Sequence, residues 1–174
     1  MTRQNILALL GGGDRRSIGR ADQVAAIVSK DPGLFPELIA GLRSDDPLVR
    51  MRAADAAEKV SRKTPVLLQP HKDELLALMA ETQQQELQWH LAAMVPRLSL
   101  SATERQSAAS LMNRYLEASS SIVKTSALQG LADLAHDDRA IRDIAIKVLR
   151  KAMQNGTPAM KARSRKLLHH LERI

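Results

Sequence analysis

Polar and apolar positions along the chain recur three and four residues apart, most clearly in SDDPLVRMRAADAAEKV, residues 44 to 60. Val49, Ala53, Ala56, Ala57 and Val60 follow one helical face, and Arg52, Asp55, Lys59 and Arg62 follow the opposite one. The spacing predicts an amphipathic helix. Asp46 ahead of Pro47 supplies its start, because the carboxylate accepts orphan backbone N–H groups and proline lacks one. Its apolar side is mostly alanine, which lets another helix approach closely but cannot form a core alone.

The same reading predicts helices along the whole chain. Residues 2 to 10 form a short one ended by the flexible run Gly11-Gly12-Gly13, and residues 14 to 30 a second with Ala21, Val24, Ala25 and Val28 on one face. Phe35, Leu38, Ile39 and Leu42 mark a short helix before the opening stretch, and Leu67, Leu68, Leu75, Leu76, Leu78 and Met79 another, with Pro70 inside it. The next spans residues 84 to 98, where Pro96 kinks or ends it. Ser101 and Glu104 form the capping box of a helix over 101 to 119, and helices over 122 to 135, 139 to 154 and 158 to 174 complete the series.

One register fits several of them. Aligning Arg50 with Gln88, Lys124 and Lys161 gives spacings of 38, 36 and 37 residues. The stripe Val49, Ala53, Ala56, Val60 then becomes Leu87, Leu91, Met94, Leu98, next Val123, Ala127, Gly130, Leu134, and last Met160, Ser164, Leu167, Leu171. Fourteen of these sixteen positions are apolar, and Gly130 and Ser164 are small. DDRAIRDIA, from Asp137, also mimics the turn and helix of DDPLVRMRA, but only with residues 139 to 154 as a first helix is the spacing kept. A period near ~37 lies close to the HEAT and armadillo range.

The opening stretch resembles the second half of a HEAT repeat: Asp in the turn, then Val-Arg, small residues and a final aliphatic. IVKTSALQGLADLA, from Ile122, and PAMKARSRKLLHHL, from Pro158, are similar to it. ELQWHLAAMVPRL departs by placing Gln88 at the basic position and Pro96 in the helix, and the N-terminal unit departs most, with Ser17 and Ile18. The resemblance implies an all-α, right-handed superhelix of about five helix pairs. A single repeat domain, 1–174, would divide into a degenerate unit over 1–30 with its Gly-rich break, then pairs over 31–64, 65–100, 101–136 and 137–174.

Composition fits helices: of 174 residues 44% are hydrophobic and only 2% aromatic. With no Cys, disulfides and thiolate chemistry are excluded, and no apolar run approaches the ~20 residues of a membrane span. The chain is expected to be soluble and cytoplasmic, with no membrane partner. Net charge is +7, but residues 139 to 174 hold ten Lys and Arg against two acids, so the part before them sums to −1.

Enzyme signatures are absent: Glu86 and His90 share a face without an HExxH, and GGGDRRS lacks the GK[ST] of a phosphate loop and reads as a linker. No cofactor or metal is expected. The resemblance implies that Arg50, Lys124 and Lys161 reach aspartates of neighbouring turns, among Asp45, Asp46, Asp137 and Asp138, as links between repeats. It also implies that the outer face of the second helices lines a groove, which collects Arg52, Asp55, Lys59, His90, Arg97 and Gln129 as candidates for a protein or peptide partner. Trp89, one step off the stripe, either fills a gap between pairs or anchors that partner. The alternative is nucleic acid, bound through phosphates by Lys147, Arg150, Lys151, Lys161, Arg163, Arg165, Lys166 and Arg173.

Overall fold

The computed structural model of the protein describes residues 5–136 and 138–173. Asp137 and residues 2–4 of the first expected helix lie outside them. The described residues are all-helical, with nine α-helices and no strand. These are α1 (Ala21–Lys30), α2 (Phe35–Ala40), α3 (Pro47–Lys63), α4 (Lys72–Glu81), α5 (Gln85–Met94), α6 (Ala102–Tyr115), α7 (Ser121–Leu134), α8 (Arg139–Asn155) and α9 (Pro158–Leu171). Among the described residues no helix is long and apolar enough to cross a membrane.

Local chemistry sets most boundaries. Asp46 caps α3 by accepting from the Leu48 N–H at 2.8 Å, and Pro47 follows as its first residue. The capping box of α6 is reciprocal: Ser101 N–H donates to Glu104 Oε2 at 2.7 Å, and Glu104 N–H donates to Ser101 Oγ at 3.3 Å. Lys72 Nζ lies 2.6 Å from Glu104 as well, and with the Ser101 N–H it draws that carboxyl down to about 2. Ser120, Asp138 and Thr157 cap α7, α8 and α9 in the same way. Pro96 does end α5, leaving a 3-10 turn over Val95–Arg97. Pro70 sits in a longer 3-10 turn, Pro65–His71, so α4 begins only at Lys72, later than the apolar spacing predicts.

The N-terminal region departs most from expectation. A 3-10 turn, Ala8–Leu10, stands where a helix is predicted, and α1 starts at Ala21 rather than near Asp14. Ile6 and Leu10 are fully buried all the same.

Packing follows the register. Each of α1, α3, α5 and α7 packs on the next odd-numbered helix, and α2, α4, α6 and α8 pack on α3, α5, α7 and α9. All sixteen stripe positions, including Gly130 and Ser164, are buried. Gly130 is required by closeness: a Cβ there would lie 2.5 Å from the Ala92 carbonyl oxygen and 2.6 Å from Met112 Cε. On the other side of the molecule, Tyr115 Oη donates to the Met79 carbonyl at 2.7 Å and ties α6 to α4. Burying each Leu of the stripe contributes about 1.5–3 kcal/mol, so this one repeated face carries much of the core.

Candidate functional site

Arg52 does not belong to an open groove. It is only 2% exposed. Its guanidinium donates to the carbonyls of Leu10 (2.7 Å), Gly12 (2.6 Å), Asp14 (3.0 Å) and Ser17 (3.2 Å). The GGGDRRSIG segment is therefore no free linker: its backbone wraps around one side chain. Gly12, Gly13 and Gly19 adopt positive φ, and a Cβ on Gly19 would come within 2.6 Å of Arg52 Cζ.

The basic column also works differently from the expectation. Arg50 donates to the carbonyls of Ser44 (2.7 Å) and Asp45 (3.2 Å) in its own turn, and Arg50 Nε donates to Gln84 Oε1 at 2.8 Å. Gln84 Nε2 in turn donates to the Pro47 carbonyl at 2.9 Å, so the link between α3 and the next turn is made of amide and guanidinium groups. Gln88, at the aligned position, repeats the inner contact by donating to the Thr82 carbonyl at 3.1 Å, six residues back. The acids are used elsewhere: Asp46 caps α3, and Asp138 caps α8 and lies 3.6 Å from Arg105. Lys124 and Lys161 are half-buried and make no ion pair among the described residues.

Four of the six remaining groove candidates converge, whereas Asp55 does not line their cleft and Lys59 lines a separate one. Trp89, His90, Arg97 and Gln129 line one open cleft of about 560 Å³ with Glu58, Arg62, Ala93, Pro96, Thr125, Ser126, Asp133 and Arg163. These residues come from α3, α5, α7 and α9 and from the turn after α5. Glu58 organises one wall. Its carboxylate is buried, Arg62 Nη2 reaches it at 2.5 Å from one helical turn away, and the Arg97 guanidinium closes on its Oε1. Arg97 also donates to the Glu58 carbonyl at 3.0 Å and to Ser61 Oγ at 2.9 Å. Burial pushes the Glu58 carboxyl up, but the hydrogen bonds from Arg62 and Arg97 together outweigh it, and the net shift is downward.

A second wall runs through Gln129, which donates to Asp133 at 2.8 Å and accepts from Arg163 at 2.7 Å, joining α7 to α9. At the far side Asp55 and Asp22 both hold Lys59 Nζ, at 2.6 and 2.5 Å, joining α3 to α1. His90 lies 4.0 Å from Asp55, and burial lowers its pKa against the pull of that carboxylate. Trp89 is partly buried against the core and also lines the cleft. The i,i+4 spacing of Glu58 and Arg62 is the one sequence signal for this pair, which the repeat register does not mark.

The eight basic candidates do not form one patch. Arg163 faces the groove, Lys151 lines a separate cleft with Asn113, Leu116 and Val148, and Arg150 pairs with Glu172 at 2.8 Å. Lys147, Arg165, Lys166 and Arg173 are exposed. Among the described residues no group of three or more His, Cys, Asp or Glu is placed to hold a metal ion, and Glu86 meets Arg15 at 3.9 Å while His90 faces Asp55. No family model, curated protein or solved structure matches the chain.

Proposed function

We propose that the chain is a right-handed, HEAT-like superhelix of about five helix pairs, acting as a non-catalytic binding module for a protein or peptide. The partner lies in the groove of the second helices. The cleft at Trp89 carries this reading, because it joins a partly exposed aromatic ring to side chains already fixed by Glu58 and Gln129, which limits the ordering cost of binding. The buried stripe and the sequential packing of the odd-numbered helices support the repeat architecture.

The test is selection of peptides from a displayed random library, followed by titration of the enriched peptides against Trp89→Ala. Loss of at least about tenfold in affinity with unchanged helical circular dichroism is expected for a hot-spot anchor. Enriched peptides that bind Trp89→Ala as tightly as the wild type would reject the groove.

The second reading is nucleic-acid binding through the C-terminal helix pair, favoured by the excess of ten Lys and Arg over two acids from residue 139 onward. A gel-shift titration at several salt concentrations decides it. A shift that is indifferent to charge reversal at Arg163, Arg165 and Lys166, or no shift at low salt, rejects it.

A further inference from the structure

Arg163, Lys166, His170 and Arg173 are spaced three, four and three residues apart, so they share one face of α9 and of the turn that follows it. All four are exposed, whereas Met160, Ser164, Leu167, Leu168 and Leu171 are buried. Arg163 places this face at the edge of the Trp89 cleft. Among the described residues its hydrogen-bond acceptor across the groove is the neutral amide of Gln129, at 2.7 Å, and the single carboxylate of Asp133 acts on both Arg163 and His170. The one acid of this helix and turn, Glu172, turns instead to Arg150 at 2.8 Å. The opposite end of the groove is balanced: Lys59 has Asp22 and Asp55, and Arg62 and Arg97 share Glu58. The groove therefore changes along its length from internally neutralised to cationic.

From these observations we infer that the groove takes an acidic, extended peptide segment, its carboxylates along the α9 column and an apolar side chain against Trp89. This rests on the groove reading given above. The column rises about 15 Å at 1.5 Å per residue, which an extended segment covers with about four or five residues. Carboxylates on alternate side chains match such a column, with affinity that falls as salt rises. A nucleic acid fits less well. Phe35 and Tyr115 are buried, so of the chain's three aromatic residues Trp89 alone is available for base stacking.

Fluorescence anisotropy with three labelled probes tests this: a Glu-rich peptide containing one Leu, a Lys-rich peptide of equal length, and a single-stranded oligonucleotide. The full chain is compared with Arg163→Glu/Lys166→Glu/Arg173→Glu and with the control Lys147→Glu/Lys151→Glu, all at exposed positions. Expected is salt-sensitive binding of the Glu-rich peptide that weakens at least about tenfold in the column variant and less than about twofold in the control. Tighter binding of the Lys-rich peptide or of the oligonucleotide, or equal weakening in both variants, overturns the inference. If library-selected peptides depend on Trp89 while the Glu-rich probe does not bind, this inference falls and the groove stands. If no peptide depends on Trp89, both fall.

Discussion

Arg52→Ala should release the N-terminal loop and leave the helix stack folded. Five hydrogen bonds of 2.6–3.2 Å join the Arg52 guanidinium to the carbonyls of Leu10, Gly12, Asp14 and Ser17. Bonds to a charged donor contribute about 1.5–3 kcal/mol each in deletion measurements, so the set is worth about 7–15 kcal/mol before its costs. Burying a guanidinium costs several kcal/mol and ordering its side chain about 2. The freed carbonyls can also be rehydrated, since residues 11–20 are otherwise exposed. A net loss of about 2–4 kcal/mol from the loop follows. Trypsin reads this directly, because Arg15, Arg16 and Arg20 lie in the loop. When opening is fast relative to cleavage the rate tracks the open population, so cutting at these residues should accelerate at least tenfold, a factor that ~1.4 kcal/mol already supplies. Arg52→Lys should behave almost like Arg52→Ala, since one ammonium cannot span four carbonyls. Equal cleavage rates in wild type and Arg52→Ala would refute the cradle.

Four other outcomes follow from the packing. Gly130→Ala forces a methyl against the Ala92 carbonyl and should cost about 1–3 kcal/mol or more in denaturant melts; an unchanged midpoint would contradict the close approach of α5 and α7. Ser164→Ala should be neutral or stabilising, because the buried Ser164 hydroxyl has no hydrogen-bond partner among the described residues; a loss above about 1 kcal/mol would mean that the hydroxyl is satisfied after all. Tyr115→Phe should cost about 1 kcal/mol by leaving the Met79 carbonyl unpaired, measured the same way. Glu58→Gln should destabilise by about 1–3 kcal/mol at neutral pH. Because the folded Glu58 carboxyl lies below its ordinary value of 4.5, its contribution is complete above that pH and fades as pH falls through the folded value. The gap between Glu58→Gln and wild type should therefore narrow in melts below pH 4.5, and a gap constant with pH would show that Glu58 is not the titrating partner.

The core was legible because the same stripe is written four times, and agreement among copies overrides the weak signal of any one helix. Asp46 and Ser101 were legible because caps act within a few residues. Arg52 was not. Helical spacing correctly put it opposite the apolar stripe, but the chain's own residues 10–17 return to cover it, and that contact spans about forty positions. Arg50 was placed in a link between repeats, yet it binds carbonyls and an amide rather than a carboxylate, because the aspartates nearest to it are engaged by helix starts or exposed. Glu58 escaped notice because the aligned position in the next unit is Pro96, so no column of acids marks it. Arg97 reaches Glu58 from the 3-10 turn that Pro96 creates.

Trp89 is the single tryptophan of the chain and lines the cleft, so its emission reports directly on whether the groove is where a partner sits. Titrating the wild-type protein with an enriched, non-fluorescent peptide should give a saturable shift of that emission whose midpoint equals the affinity measured by calorimetry. Calorimetric binding at full affinity with Trp89 emission unchanged throughout would contradict the groove.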